Sequence, residues 1–341
     1  LKQTITNVSF QIQAYRAFAS ASRGFLYYNY LNFIDYYAFL EQAEALFAAE
    51  PETALQKLAE VQAFFRVRDG AISGFAGNAD SAASHREIAD AFLNRLDTAQ
   101  REQVTYDLPA IAAREALVVD SAVQYNIVYA PYRDLGLEGT CGDLDAVVRL
   151  VSDAFLYPQL RDQYGAYGVD HGATEEGVYI LSFRDPNVQE TFDVYAALPG
   201  MIKDMALTQD KLNGYILSAY SNYALSQGEL SGALQALTGT VDEKPQERFL
   251  TWMRELKALT PEKVKEYAAM YEALSNKGHL STSGGTGIIQ QNEALYEKVL
   301  NPFAVKEVSQ DSLADVAEGE WYSEAVAFML DNKIMAPLSE E

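Results

Sequence analysis

The stretch LRDQYGAYGVDHGATEEGVYILSFRDPN, residues 160–187, decides how the chain is read. Arg161 closes a helical pattern. Gly165-Ala166-Tyr167-Gly168 follows as a turn, with glycines where the backbone needs freedom. Two strand-like runs cover about 165–171 and 177–184, and Arg184-Asp185-Pro186-Asn187 restarts a helix. Arg161 and Tyr167 stand six positions apart with glycines beside the tyrosine, as two polar groups aimed at one small target. An arginine can grip a carbonyl or carboxylate, and a tyrosine hydroxyl can donate to a developing oxyanion. The same residue types also allow an arginine lying along a helix end and a tyrosine in a half-buried strand.

Strands are expected upstream at about 115–120 and 123–130, then a glycine-bearing loop at 136–142 and a helix from a capping Asp143 to about Leu156. Downstream come helices at 187–205, 208–224, 244–258 and 261–274, and a strand at 278–282. Thr260-Pro261-Glu262 is a clean helix start. This order predicts an α+β fold, a mixed sheet with helices mostly on one face. The first part reads as helices at 1–22 (ended by Arg23-Gly24), 30–48 and 51–65, a strand at 70–77, and a helix at 84–96 capped by Ser84 with Glu87 as box partner. Residues 97–113 are polar and proline-broken and mark a boundary. The expected domains are a trailing half-domain at 1–112, a full domain of the same type at 113–305, and a linker and tail at 306–341.

The chain has 341 residues, 26 basic and 48 acidic, for a net charge of −22. Nucleic-acid binding needs a basic face and is not expected. No apolar run is long enough to span a bilayer. The sequence opens on Leu1 with no signal-type segment, as an excised or processed piece would. One cysteine, Cys141, rules out an internal disulfide and a cysteine-cluster metal site.

The chemistry-bearing candidates are few. His85, His171 and His279 lie too far apart in sequence for paired helical zinc ligation, so no metal site is expected here. His171, with Glu175 and Glu176 nearby, reads as a surface hairpin or, less simply, a ligand. Cys141 precedes a helix, where a thiolate could be stabilised, although a small residue at a helix start explains it too. Ser281-Thr282-Ser283-Gly284-Gly285-Thr286-Gly287 resembles a phosphate-cradling loop but lacks the terminal Gly-Lys-Ser/Thr, so an ordinary strand-to-helix loop is the simpler reading.

The run LRDQYGAYG, the helix before it, the paired strands after it and then SFRDPN resemble the C-terminal half of insulinase-type (pitrilysin-like) zinc metallopeptidases, the presequence protease branch in particular. The resemblance covers about residues 5–300. It implies four similar α+β domains around a chamber, with zinc on the first. Arg161 and Tyr167 would reach the bound peptide from the last domain and stabilise the tetrahedral intermediate, with Gly165 and Gly168 forming the backbone turn. The Arg161–Tyr167 spacing is one shorter than in insulinase proper. No inverted His-x-x-Glu-His motif occurs, so zinc is expected on an N-terminal half and this chain alone should not hydrolyse peptides. From Ser312 to Pro337 the sequence resembles the opening of an S-layer homology module, with Trp321-Tyr322 leading into an amphipathic helix. That implies an extracellular or bacterial cell-surface address and a cell-wall polysaccharide partner.

The expected function is therefore the non-catalytic C-terminal portion of a secreted zinc endopeptidase. Its partners would be peptide substrates and the N-terminal catalytic half of the same polypeptide, with no nucleic acid or membrane. The alternative is a catalytically inactive peptide-binding or structural cell-surface protein with a peptidase-like fold.

Overall fold

The run Ile127-Val128-Tyr129-Ala130 has no polar face, and a strand of that kind must be covered on both sides. In the computed structural model, which describes residues 2–100, 104–224, 228–241 and 246–303, it is. The six strands are β1 (Arg114–Val118), β2 (Gln124–Pro131), β3 (Gly168–Ala173), β4 (Gly177–Asp185), β5 (His279–Gly284) and β6 (Lys298–Leu300). They form one sheet in the order β3-β4-β2-β5-β1-β6. β3, β4, β2 and β5 pair antiparallel, whereas β1 runs parallel to both β5 and β6, so the sheet is mixed. The α+β class expected from the order of elements is the observed one.

Val128, Ala130, Val178 and Ile180 point to one face, where they share a core with Leu144, Val147, Leu156, Leu198, Tyr271 and Leu274. These come from the helices Gly142–Val151, Ser152–Gln163, Gln189–Asp204 and Ala268–Lys277. Alternation along the strands sends Ile127, Tyr129 and Leu181 to the opposite face, where Ala14, Ala17 and Phe18 cover them. The helix Ser9–Phe18 therefore closes the second face of the sheet.

That second interface is polar as well as aromatic. Arg16 and Glu115 are both buried and joined through two hydrogen bonds, Nη2 donating to Oε2 at 2.8 Å and Nε to Oε1. Ser281 donates to Gln13, and Ser283 to Ser9 at 3.2 Å. Leu1–Leu300 forms one compact unit; of Asn301–Glu341 only Asn301–Phe303 are described, and the S-layer-like segment Ser312–Pro337 lies outside the described residues.

Several local expectations are corrected. Residues 70–77 are irregular and exposed; three glycines in eight residues weaken a strand, and among the described residues no neighbour pairs with it. The helix after it is Ala79–Leu93 and its cap is Asn78, which accepts from the N–H of Ser81 at 2.8 Å, so Ser84 lies inside the helix. Arg23 starts a helix, Arg23–Tyr30, capped by Ser22. Cys141 occupies the cap position assigned to Asp143. The helix Glu229–Val241 had no counterpart in the sequence reading.

Candidate functional site

Arg161 lies in the last turn of Ser152–Gln163, a helix of wide i→i+5 turns that carries Pro158 in its interior. A proline removes one N–H from the ladder, which a wider winding accommodates. The helix ends at Gly165, whose φ of +80° lies in the left-handed region where glycine is the usual residue. Gly165 N–H donates to the carbonyl of Arg161 at 3.2 Å and Ala166 N–H to that of Leu160 at 2.8 Å, satisfying carbonyls the helix leaves over. A Cβ at Gly165 would have room, with Pro186 at 3.8 Å, so the demand there is conformational. Gly168 opens β3 and a Cβ on it would meet nothing within 4 Å. Neither glycine is therefore required by contact with another part of this chain.

Tyr167 is 63% exposed, and its backbone N–H donates to the carbonyls of Phe183 and Arg184 at 3.0 and 3.3 Å. The guanidinium carbon of Arg161 lies 5.7 Å from the ring centroid, so the structure brings the two expected residues together. It adds a third: the guanidinium carbon of Arg184 lies at the same 5.7 Å from that ring. Among the described residues, neither guanidinium has a hydrogen-bond or ion-pair partner. Counting outward along the β3–β4 hairpin, in which Gly168 faces Phe183, places Arg184 opposite Tyr167. The sequence places Arg184 at the end of a strand and in the SFRDPN run, but its position opposite Tyr167 follows only from the hairpin register.

The bed beneath these side chains is a buried hydrogen-bond network. Asp185 is fully buried and accepts from the hydroxyl of Thr191 at 2.6 Å and from the N–H of Asn187 at 2.9 Å. Asn126, also fully buried, places its side-chain nitrogen 2.8 Å from the carbonyl of Asn187, 3.1 Å from Ser182 Oγ and 3.3 Å from Asp185 Oδ2, three acceptors sharing its two N–H groups, and its oxygen accepts from Thr282 at 3.0 Å. The side chain of Asn187 then donates to the carbonyl of Tyr164 at 2.8 Å. Satisfied networks of this kind fix one geometry, because each partner lost leaves a buried polar group unmet.

The other candidates separate. His171 is buried, which corrects the surface-hairpin reading; its Nδ1 lies 3.4 Å from Ser152 Oγ and its Nε2 3.1 Å from the hydroxyl of Tyr271. Ser152 gives its own proton to the carbonyl of Val148 at 2.8 Å, so Nδ1 carries the ring proton and Nε2 accepts from Tyr271. Burial pushes the imidazole down to about 3. His85 stacks on Phe75 at 4.9 Å and bonds Ser73 at 3.1 Å. His279 opens β5. Among the described residues no group of three His, Cys, Asp or Glu is arranged to hold a metal ion. Burial pushes the Cys141 thiol up to about 11, which keeps it protonated at neutral pH and unreactive. Ser281, Thr282 and Ser283 are buried within β5, and the glycines after them lead into the short helix Thr286–Gln291, an ordinary strand-to-helix connection. No described helix is long and apolar enough to cross a membrane.

Comparison with known proteins bears on the same region. A family model described as the PreP C-terminal domain matches residues 114–278. The chain is 22% identical over 286 residues to Protein HypA of Clostridium perfringens, covering 82% of this chain and 28% of that protein. It is 23% identical over 252 residues to presequence protease 1, chloroplastic/mitochondrial, of Arabidopsis thaliana, covering 72% of this chain and 23% of the relative. The chain thus spans less than a third of the length of these relatives. Among solved structures, pitrilysin superposes with a TM-score of 0.45 at 14% identity, over 65% of this chain and 25% of that one. Residues 114–278, which hold β1 to β4 and the Arg161–Tyr167–Arg184 cluster, are thus similar to the PreP C-terminal domain.

Proposed function

We propose that this chain is the non-catalytic C-terminal portion of a zinc endopeptidase of the insulinase type, and that Arg161 and Tyr167 contact the peptide being cleaved. The observation that carries the reading is the exposed Arg161–Tyr167 pair on a rigid bed, inside the segment that matches the PreP C-terminal domain. Zinc and its activated water belong to an N-terminal half. On this chain, the Tyr167 hydroxyl donates to the carbonyl oxygen as it gains negative charge, and the Arg161 guanidinium holds the neighbouring backbone carbonyl. Both are hydrogen-bond donors whose contribution grows with the charge they meet. The peptide partner, the chamber role and the N-terminal half are parts of this one proposal. So are a cell-surface address and a polysaccharide partner, which rest on the sequence of Ser312–Pro337 alone.

The test combines this chain with the N-terminal half of the same polypeptide and follows zinc-dependent cleavage of an unstructured peptide. Activity should require both parts. Tyr167→Phe should lower kcat by about two to three orders of magnitude while changing KM much less, as expected for loss of one oxyanion donor. Unchanged kcat in that variant would overturn the role given to Tyr167. No cleavage by the combined wild-type halves would favour an inactive peptide-binding protein.

A further inference from the structure

Arg184 occupies a backbone conformation that side chains avoid. Its φ is +48°, and among the described residues Phe33 is the one other non-glycine with positive φ. An L-residue is held there only when its surroundings dictate it, and such residues gather at binding sites. Here the surroundings do dictate it: Asp185 and Asn187, just beyond, are tied into the buried network, and the Arg184 carbonyl accepts from Tyr167 N–H. The side chain that results is exposed and lies beside the rings of Tyr167 and Phe183, at 5.7 and 6.0 Å from their centroids.

Arg161 stands at the same distance from Tyr167, so the two guanidinium carbons are separated by no more than twice that distance. The chain has 48 acidic residues against 26 basic ones, yet among the described residues neither cation has a carboxylate partner. Two unpaired guanidinium groups around one exposed aromatic ring make a local cationic notch on an acidic protein. Guanidinium forks match carboxylates in shape and charge, and an aromatic face beside them supports the apolar stem of the group that arrives.

We propose that Arg184 is the second cationic arm of the Arg161–Tyr167 site, and that the notch selects peptides presenting a carboxylate, either an acidic side chain or a free C-terminus. This rests on the peptide-contact reading given above and adds a specificity to it. The selection is modest because the site is open to solvent, which weakens each charge-assisted contact.

The experiment measures binding by the 341-residue chain, with fluorescence anisotropy at low salt. Four labelled, unstructured peptides of one sequence are used, with Glu or Gln at one central position and a free acid or an amide at the C-terminus. The wild-type chain should bind at least one carboxylate form about fivefold tighter than the doubly neutral peptide, and the two single-carboxylate peptides identify the source. Arg184→Asn removes the cation but tolerates the left-handed backbone, and should bring that ratio close to one. Arg184→Gly serves the same purpose if the Asn variant fails to fold, and Arg184→Lys should retain part of the preference. A wild-type chain that binds all four peptides equally, or a preference undiminished in Arg184→Asn, overturns the role of Arg184 and leaves the peptide-contact reading standing. Failure to bind any of the four removes that reading, and this inference with it.

Discussion

The side-chain amide of Asn187 donates to the backbone carbonyl of Tyr164 at 2.8 Å, joining the end of β4 to the turn that delivers Tyr167. The bond spans 23 positions of sequence and holds the two arms of the cluster in register. Asn187→Ala should destabilise the fold by about 1–2 kcal/mol, the typical range for a hydrogen bond lost with one partner left unmet. Asp185→Ala should cost more, about 3 kcal/mol, because Thr191, Asn126 and the Asn187 N–H lose their common acceptor together. Urea unfolding of both variants checks the order; equal, small effects would show that the network contributes little.

Gly165 and Gly168 should respond differently to alanine. Gly165→Ala places a Cβ in the left-handed region and should cost about 1–2 kcal/mol. Gly168→Ala meets open space and should stay within about 0.5 kcal/mol of wild type. Paired thermal melts decide, and similar losses at both would contradict the distinction.

Removing Arg16 from its buried pair leaves the Glu115 carboxylate without compensation, whereas Arg16 itself has a second partner in Asp35 at 3.7 Å. Arg16→Ala should therefore lose about 3–5 kcal/mol, whereas the double replacement Arg16→Met/Glu115→Leu should recover much of it. A double variant as unstable as the single one would show that packing, not the stranded carboxylate, dominates.

His171 makes stability fall with acid. Its folded value is depressed to about 3 by burial, below the ordinary 6.5 of the unfolded chain. The contribution is therefore intact above about pH 6.5 and is lost as pH falls towards the folded value, because only the unfolded chain takes up the proton. Between pH 6.5 and 5 this amounts to about 1.6 kcal/mol, because the unfolded imidazole is half protonated at the start of the interval and almost fully protonated at its end. Denaturant unfolding at the two pH values should show that loss in the wild type and not in His171→Gln. Parallel losses in both would assign the effect elsewhere.

The α+β order was legible because it follows from hydrophobic period and from glycine and proline punctuation. The pairing of Arg161 with Tyr167 was legible through a motif, whereas Arg184 required the hairpin register, which appears only once the turn at Thr174–Gly177 fixes which residues face each other. The buried polar residues were the hardest to place. Ser281 and Thr282 read as the end of a strand running into a Ser-Gly loop, with nothing to mark them as buried, and Ser9, Gln13 and Arg16 look like the solvent face of a helix. They lie inside because each helix residue meets a polar partner on the sheet side, information that neither segment carries alone. Residues 70–77 show the converse, a segment with strand-like residues and, among the described residues, no neighbour to make it one.

The helix Ser9–Phe18 has a consequence in time. Arg16 precedes its partner Glu115 by 99 positions, and Gln13 precedes Ser281 by 268. At about 5–20 residues per second of synthesis, the helix waits roughly 5–20 s for β1 and a little under three times as long for β5. During that interval Arg16 and Gln13 remain in water, while Ala14, Ala17 and Phe18 have no sheet to cover. Completion of Leu1–Leu300 is thus a late event on the ribosome. The period of greatest risk of misassociation falls before β5 is made, when the aromatic side of this helix is exposed to any other nascent chain.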